Sequence, residues 1–305
     1  MNFGWNRVRE RAAAFWLGVL FWCTRHMPWV IQRCKPFAIW AAWLSSPHIR
    51  RTTTANARWL LGETSSSREC RVFGRKVLRR FFDAVVEFGT NRGLSKAELL
   101  ARVDKIVGQD RFEEARQRRR GAILVTAHIG SFETAMASLA EREPRLHVVF
   151  RRDENHVFES LRLEQHARLG ILEARAEEGL AMWLRVREAL RADEVVLVQG
   201  DRLSPGEAGV TVPFLGGHIR VPAGPAKLAR ATGSPLIPTF AVVSESGRVQ
   251  IHLEEPIWTE ELEVASGTPD PAVVRFAAAL ESCVRRYPDQ WLLLHKVWCE
   301  DLRSE

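Results

Sequence analysis

The chain has 305 residues, of which 46% are apolar, enough to bury one large core or two smaller ones. Its net charge of +7 is carried almost wholly by arginine and suits acidic partners such as phospholipid head groups, whereas no binding motif or basic-aromatic platform points to nucleic acid. Five cysteines, odd in number and without CxxC or zinc spacing, exclude a disulfide framework and read as reduced thiols facing a cytosolic environment.

The first 46 residues form a segment of their own. Arg7, Arg9 and Arg11 precede the uncharged run Ala12–Cys23, and a second apolar stretch, Phe37–Leu44, follows Pro28 and Pro36. The run is shorter than the ~20 residues of a spanning helix. Trp16, Trp22, Trp29, Trp40 and Trp43 crowd the segment, and tryptophan favours the membrane interface. No small-residue cleavage site follows, so residues 1–46 are expected to be a retained helical membrane anchor with arginine on the cytoplasmic side. A pair of buried core helices is the alternative.

Residues 47–305 are expected to form one α/β domain. Ile49–Leu61 reads as a basic helix, Glu63–Ser67 as a loop, and Val72–Phe88 as a helix with Val77, Phe81, Phe82, Val85 and Phe88 on one face. Ser95 is a candidate cap for a helix over Lys96–Ala101. Alternation then begins: strands over 122–127, 146–151, 194–199, 235–243 and 248–253, and helices over 132–141, 154–168, 178–191, 224–232 and 271–286. Strands separated by helices of this length imply a mixed, mostly parallel sheet covered on both faces.

The chemistry is expected where the first of these strands ends. Ile123–Ala127 is followed by His128, then Gly130 and, in the first turn of the next helix, Glu133, with Ser131 as N-cap. The carboxyl edge of an open α/β sheet is where such folds hold ligands. The helix dipole is expected to keep Glu133 ionised, and an ionised carboxylate near an imidazole fixes its tautomer and stabilises the imidazolium. His128 is thus a candidate general base with Glu133 as its orienter; a satisfied polar histidine and a helix-end glutamate are the plain alternative. Arg151 and Arg152 end the second strand, where a guanidinium fork can clamp phosphate. Asp201 follows the strand Val195–Val198 and precedes Pro205–Gly206, so it is either a site residue or a turn former. His295 and Trp291 are expected to pack the C-terminal segment. No metal site is expected from the scattered histidines, and no Gly-x-Ser-x-Gly elbow or phosphate-binding glycine loop is present.

His128-Ile-Gly130-Ser-Phe-Glu133 resembles the His-x4-Asp/Glu signature of the bacterial lipid A late acyltransferases, relatives of the glycerolipid acyltransferases, with Ser131 and Phe132 in place of the usual Asn-Trp. Phe150-Arg151-Arg152 with Asn155 is similar to the family's Tyr-Arg-Pro and asparagine. Gly200-Asp201-Arg202 is similar to its Asp-Gln pair, with Arg replacing Gln. Val212–Gly216, Pro222-Ala-Gly224 and Tyr287–Lys296 match further segments in order, a Leu standing for the second Trp of the last.

The resemblance implies a glycerolipid acyltransferase-like α/β fold at the cytoplasmic face of a bacterial inner membrane. It implies acyl transfer from acyl carrier protein or acyl-CoA, used as substrate with no further cofactor, to a hydroxyl of a lipid A precursor or another glycolipid. In that reading His128 deprotonates the acceptor, Glu133 orients it, backbone N–H groups near Gly130 bind the oxyanion, and Arg151, Arg152 and Asp201 bind substrate. A thioesterase in which His128 activates water and a non-catalytic membrane-associated homologue are the rival readings.

Overall fold

A computed structural model describes residues 3–299 other than 154, 204–206 and 208, with side chains from residue 15 onward except that of Val157. The turn expected at Pro205–Gly206 lies outside these residues. The chain opens with five helices: α1 (Phe3–His26), α2 (Pro28–Ser45), α3 (Pro47–Leu61), α4 (Ser67–Asn91) and α5 (Lys96–Ala101). The alternating part follows as β1 (Val103–Val107), α6 (Gln109–Gln117), β2 (Ala122–Thr126), α7 (Phe132–Arg142), β3 (Leu146–Phe150), α8 (His156–Leu169), β4 (Leu172–Arg175), α9 (Leu180–Arg191) and β5 (Val195–Gln199). It ends with β6 (Gly209–Phe214), β7 (Gly217–Pro222), α10 (Gly224–Thr232), β8 (Leu236–Val243), β9 (Val249–Leu253) and α11 (Pro271–Arg286).

Seven of these strands form one sheet in the order β1-β9-β8-β2-β5-β3-β4, and β6 pairs with β7 in a separate hairpin. The run β8-β2-β5-β3-β4 is parallel throughout; β9 turns back antiparallel to β8 and carries β1 with it. The mostly parallel sheet expected from the β/α alternation is therefore present. Parallel strands covered on both faces are buried at every position and read as near-continuous apolar runs, and β2 is such a strand: Ala122–Val125 is apolar and all of Ala-Ile-Leu-Val-Thr is buried. Ile123 and Val125 face a layer built from Val186, Phe276 and the hairpin residues Val212 and Ile219. Ala122 and Leu124 face the other layer, with Met136, Ala137 and Phe112.

Four elements were not expected from the sequence: β1, α6, β4 and the β6–β7 hairpin. β1 and β4 are edge strands with half-exposed, charged positions, so they lack the continuous apolar run that marks the central strands. The hairpin turns through Leu215 and Gly216, both at positive φ, as a two-residue primed turn requires.

The N-terminal segment is helical, as expected, and consists of α1 and α2. One side of each packs on the body: Phe21 is buried against Phe88 (5.5 Å between ring centroids) and Phe158 (6.3 Å), and Ile39 and Trp43 cluster with Leu78. Lys35 pairs with Asp83 of α4. The other side leaves Phe15, Trp16, Trp22, Trp29, Phe37 and Trp40 each at least 55% exposed. Among the described residues no helix is long and apolar enough to cross a membrane. α3 continues to the C-terminal segment: the buried Asn56 donates its side-chain amide to the carbonyl of His295 at 2.8 Å.

Candidate active site

The site is built by strand register. Thr126 of β2 lies opposite Gln199 of β5, and the Gly200 N–H extends the ladder to the Thr126 carbonyl at 2.8 Å. Two residues beyond each strand end, His128 and Asp201 therefore meet across one inter-strand spacing. His128 Nδ1 is 2.8 Å from Asp201 Oδ1, and the His128 backbone N–H donates to Oδ2 at 3.1 Å. The Trp291 indole N–H donates to the same Oδ2 at 3.0 Å.

This arrangement sets the ionisation of Asp201 and the tautomer of His128. The Asp201 carboxyl is fully buried. Burial alone would raise its pKa, but the adjacent His128, the Arg202 guanidinium and the Trp291 N–H outweigh it and hold the group well below the usual carboxylate range. Hydrogen bonds to a charged acceptor contribute about 1.5–3 kcal/mol each, and three of them are of the size needed to offset the several kcal/mol of burying the ion. An ionised Asp201 accepts the proton on Nδ1, which leaves the lone pair on His128 Nε2. That nitrogen has no hydrogen-bond partner among the described residues, and the side chain is 28% exposed.

Glu133 does not occupy the place expected for it. It stands at the start of α7 with Oε2 buried and unpartnered, and it makes no hydrogen bond to His128. Burial, then the nearby Glu87 carboxylate, push its pKa up to about 8 against a smaller opposing effect of Arg162. Desolvation and a like charge thus override the helix dipole, which contributes at most ~2 kcal/mol even in favourable geometry. At neutral pH Glu133 is protonated, not an ionised orienter. Ser131 also departs from expectation: it occupies the N-cap position, but its hydroxyl donates to Glu87 instead of capping the helix. Thr134 donates to the same Glu87 oxygen at 2.5 Å.

The turn carrying His128 is clamped from both sides. The Gly130 N–H donates to the Gln290 carbonyl (3.0 Å), the Ser131 N–H to the Ala241 carbonyl (2.9 Å), and the Leu292 N–H to the His128 carbonyl (2.8 Å). Gln290 in turn pairs its side-chain amide with Val243 N–H and C=O at 2.8 and 2.7 Å. Gly130 has φ +58°, and a Cβ there would sit 2.0 Å from the Ala241 carbonyl oxygen, so glycine is required for this approach. The Gly130 and Ser131 amides, two of the backbone donors expected near the oxyanion, are thus already engaged.

Arg151 and Arg152 lie at the same sheet edge after β3, two strands from β2 and so roughly 10 Å away by strand spacing. Both are exposed, with Glu177 beside them: its carboxylate accepts from the Arg152 backbone N–H at 2.9 Å and lies 3.9 Å from Arg151 Nε. Two contributors escaped the sequence reading. Trp291, expected only to pack, is the third donor to Asp201. Arg202 is half-buried, donates to the Leu292 carbonyl at 2.7 Å, and keeps its Nε buried without a partner. His295 stands near both charges, and burial, Arg202 and His128 push its pKa down to about 4.

An apolar cavity of about 250 Å³ opens beneath α7, lined by Thr126 and Phe132 on either side of the His128 turn and by Leu124, Met136, Leu139 and Ala241.

The family described as bacterial lipid A biosynthesis acyltransferase matches residues 1–300. The phosphatidylinositol mannoside acyltransferase of Mycobacterium tuberculosis is 26% identical over 212 residues, 68% of this chain and 65% of that protein. That of Mycolicibacterium smegmatis is 26% identical over 202 residues, 66% of this chain and 64% of its own length. The match therefore spans a little under two thirds of either relative.

The raised pKa of Glu133 sets a signed expectation for stability. The folded state binds this proton up to about pH 8, the unfolded state only to its ordinary value of 4.5. Stability from this group is therefore present at low pH and lost as pH rises through that window. Glu133→Gln, which mimics the protonated form, should remove this loss, so that its urea midpoint exceeds that of the wild type increasingly from pH 5 to 8. Parallel pH profiles for the two proteins would show that Glu133 is ionised throughout.

Proposed function

Since the chain belongs to the bacterial lipid A biosynthesis acyltransferase family and is an acyltransferase, we propose that it moves a fatty acyl chain from a thioester donor, acyl carrier protein or CoA, to a hydroxyl of a glycolipid. The observation that carries this reading is the His128–Asp201 pair at the sheet's carboxyl edge, with Nε2 open. Nε2 takes the proton of the acceptor hydroxyl, and that oxygen attacks the thioester carbonyl. Asp201 holds the imidazolium that results. Collapse of the tetrahedral intermediate breaks the C–S bond, and the imidazolium returns its proton to the leaving thiolate. No covalent acyl-enzyme is needed, in keeping with the lack of a nucleophile elbow. With the Gly130 and Ser131 amides engaged, positive potential for the oxyanion comes from Arg202.

The cavity beneath α7 suits an acyl chain, because its wall is mostly apolar and includes Thr126 and Phe132, which bracket the His128 turn. A lipid A precursor or a related glycolipid is the acceptor in this reading. The relatives' names favour the second, since both are phosphatidylinositol mannoside acyltransferases. The exposed Trp16, Trp22, Trp29 and Trp40, with Phe15 and Phe37, form a face that lies in the interface of the inner membrane on its cytoplasmic side.

Turnover separates the two carboxylates. His128→Ala should reduce acyl transfer about 10²–10⁴-fold with folding intact, and Asp201→Asn should lose at least about 10²-fold. Glu133→Gln should stay near wild type at pH 7, because the group it replaces is already neutral. The reverse ranking of Asp201→Asn and Glu133→Gln would return the orienting role to Glu133.

Membrane docking is checked by flotation with phospholipid vesicles. The full-length protein should float, and replacing Trp16, Trp22 and Trp40 together with Ser should leave it at the bottom of the gradient. Equal flotation of both would remove the aromatic face from membrane binding.

A further inference from the structure

A second concave site lies between α3, α4 and the C-terminal segment. It has a volume of about 460 Å³ and is lined by Arg50, Arg51 and Arg58 of α3, Arg71 of α4 and Lys296, with no carboxylate among the described residues of its wall. Arg51 and Arg58, seven residues apart, share one face of α3, and Arg71 reaches in from the neighbouring helix. Arg50 is spent on the carbonyls of Trp43 (2.7 Å) and Leu44 (2.6 Å) at the end of α2. Arg51, Arg58 and Arg71 are exposed and make no ion pair or side-chain hydrogen bond among the described residues. Elsewhere on this surface arginines are commonly matched: Arg80 with Asp289, Arg92 with Glu164, and Arg151 with Glu177. Arg51, Arg58 and Arg71, converging without a counter-charge among the described residues, focus a positive potential into the concavity and draw an anion.

The pocket is also fixed in shape and tied to the active site. Its floor includes Trp59 and Trp298, stacked 5.6 Å apart at an interplanar angle of 4°. Trp298 meets Trp291, the donor to Asp201, at 6.0 Å. Asn56, another lining residue, holds the His295 carbonyl. Leu292 is bonded to His128, and Lys296 lies four residues on, at most about 14 Å away along the chain. Arg50 in the pocket wall donates to the carbonyl of Leu44, whose side chain is exposed at the end of α2.

We propose that this pocket binds a phosphate group of one of the two substrates, holding it while the reacting atoms meet at His128. This deepens the acyl-transfer reading and rests on it. The chemistry is that of a phosphate ester cradled by guanidinium forks. Its source is the headgroup of the lipid acceptor or the nucleotide of CoA, and the exposed Leu44 next to Arg50 favours the lipid.

Binding to the full chain tests this without turnover. Two probes are titrated by calorimetry at low salt: monomeric dihexanoyl phosphatidic acid for the lipid, and adenosine 3′,5′-bisphosphate for the nucleotide. Arg51→Gln with Arg71→Gln should weaken the lipid probe about tenfold or more, since each lost contact is charge-assisted. Arg58→Gln alone serves as a second, milder variant. Arg187→Gln with Arg191→Gln, two arginines already matched by Glu188 on α9, should leave binding unchanged. If the bisphosphate alone is weakened, the phosphate site stands and serves the donor. If neither probe binds the wild type, or the folded double variant and Arg58→Gln bind both as well as the wild type does, the proposal is overturned. His128→Ala should bind as the wild type does, so failure of the reaction mechanism and failure of this site are read by different variants.

Discussion

The buried carboxylate of Asp201 is the constraint on which the site depends. An ion in that position must be fully partnered, and its partners fix the surrounding chain: the ring and backbone of His128 from β2, and the indole of Trp291 from the C-terminal segment. Satisfying one charge therefore brings together three stretches of sequence that are far apart. The same clamp consumes the amides of Gly130 and Ser131 and seats the turn against β8. His128 is held with one nitrogen committed and the other open, the state that a general base needs.

The N-terminal helices take part in this architecture instead of hanging from it. Phe21, Ile39 and Trp43 pack one side of α1 and α2 onto the body, while α3 reaches the C-terminal segment through Asn56 and the Trp59–Trp298 stack. The aromatic exterior, the uncompensated arginines of α3 and α4 and the His128 edge are thus joined through packed side chains. On the acyl-transfer proposal, apolar and anion contacts would act on the same lipid acceptor.

Much of the fold was legible because a doubly covered parallel sheet imposes a simple pattern. β2 and β5 are unbroken apolar runs, and β3 and β8 are nearly so; each was found within a residue or two of its observed ends. β1 and β4 were not, because an edge strand needs only one buried side and theirs are interrupted by charges. At the site, His128 and Asp201 were both singled out, but their partnership was not. The missing information was strand order. Once β5 is known to lie beside β2 with Thr126 opposite Gln199, two residues each side suffices to pair them. Glu133 misled for a physical reason. The dipole of α7 does favour its ionisation, but sequence alone does not display the burial or the Glu87 of a distant helix that reverse the sign.

The state of the His128 ring tests the account most directly. In ¹⁵N NMR of histidine-labelled protein, His128 of the wild type should carry its proton on Nδ1, with a slowly exchanging, downfield Nδ1–H resonance, and Glu133→Gln should leave that signal in place. Asp201→Asn should abolish it or shift the ring to the Nε2–H tautomer. A signal that survives Asp201→Asn and disappears in Glu133→Gln would contradict the account.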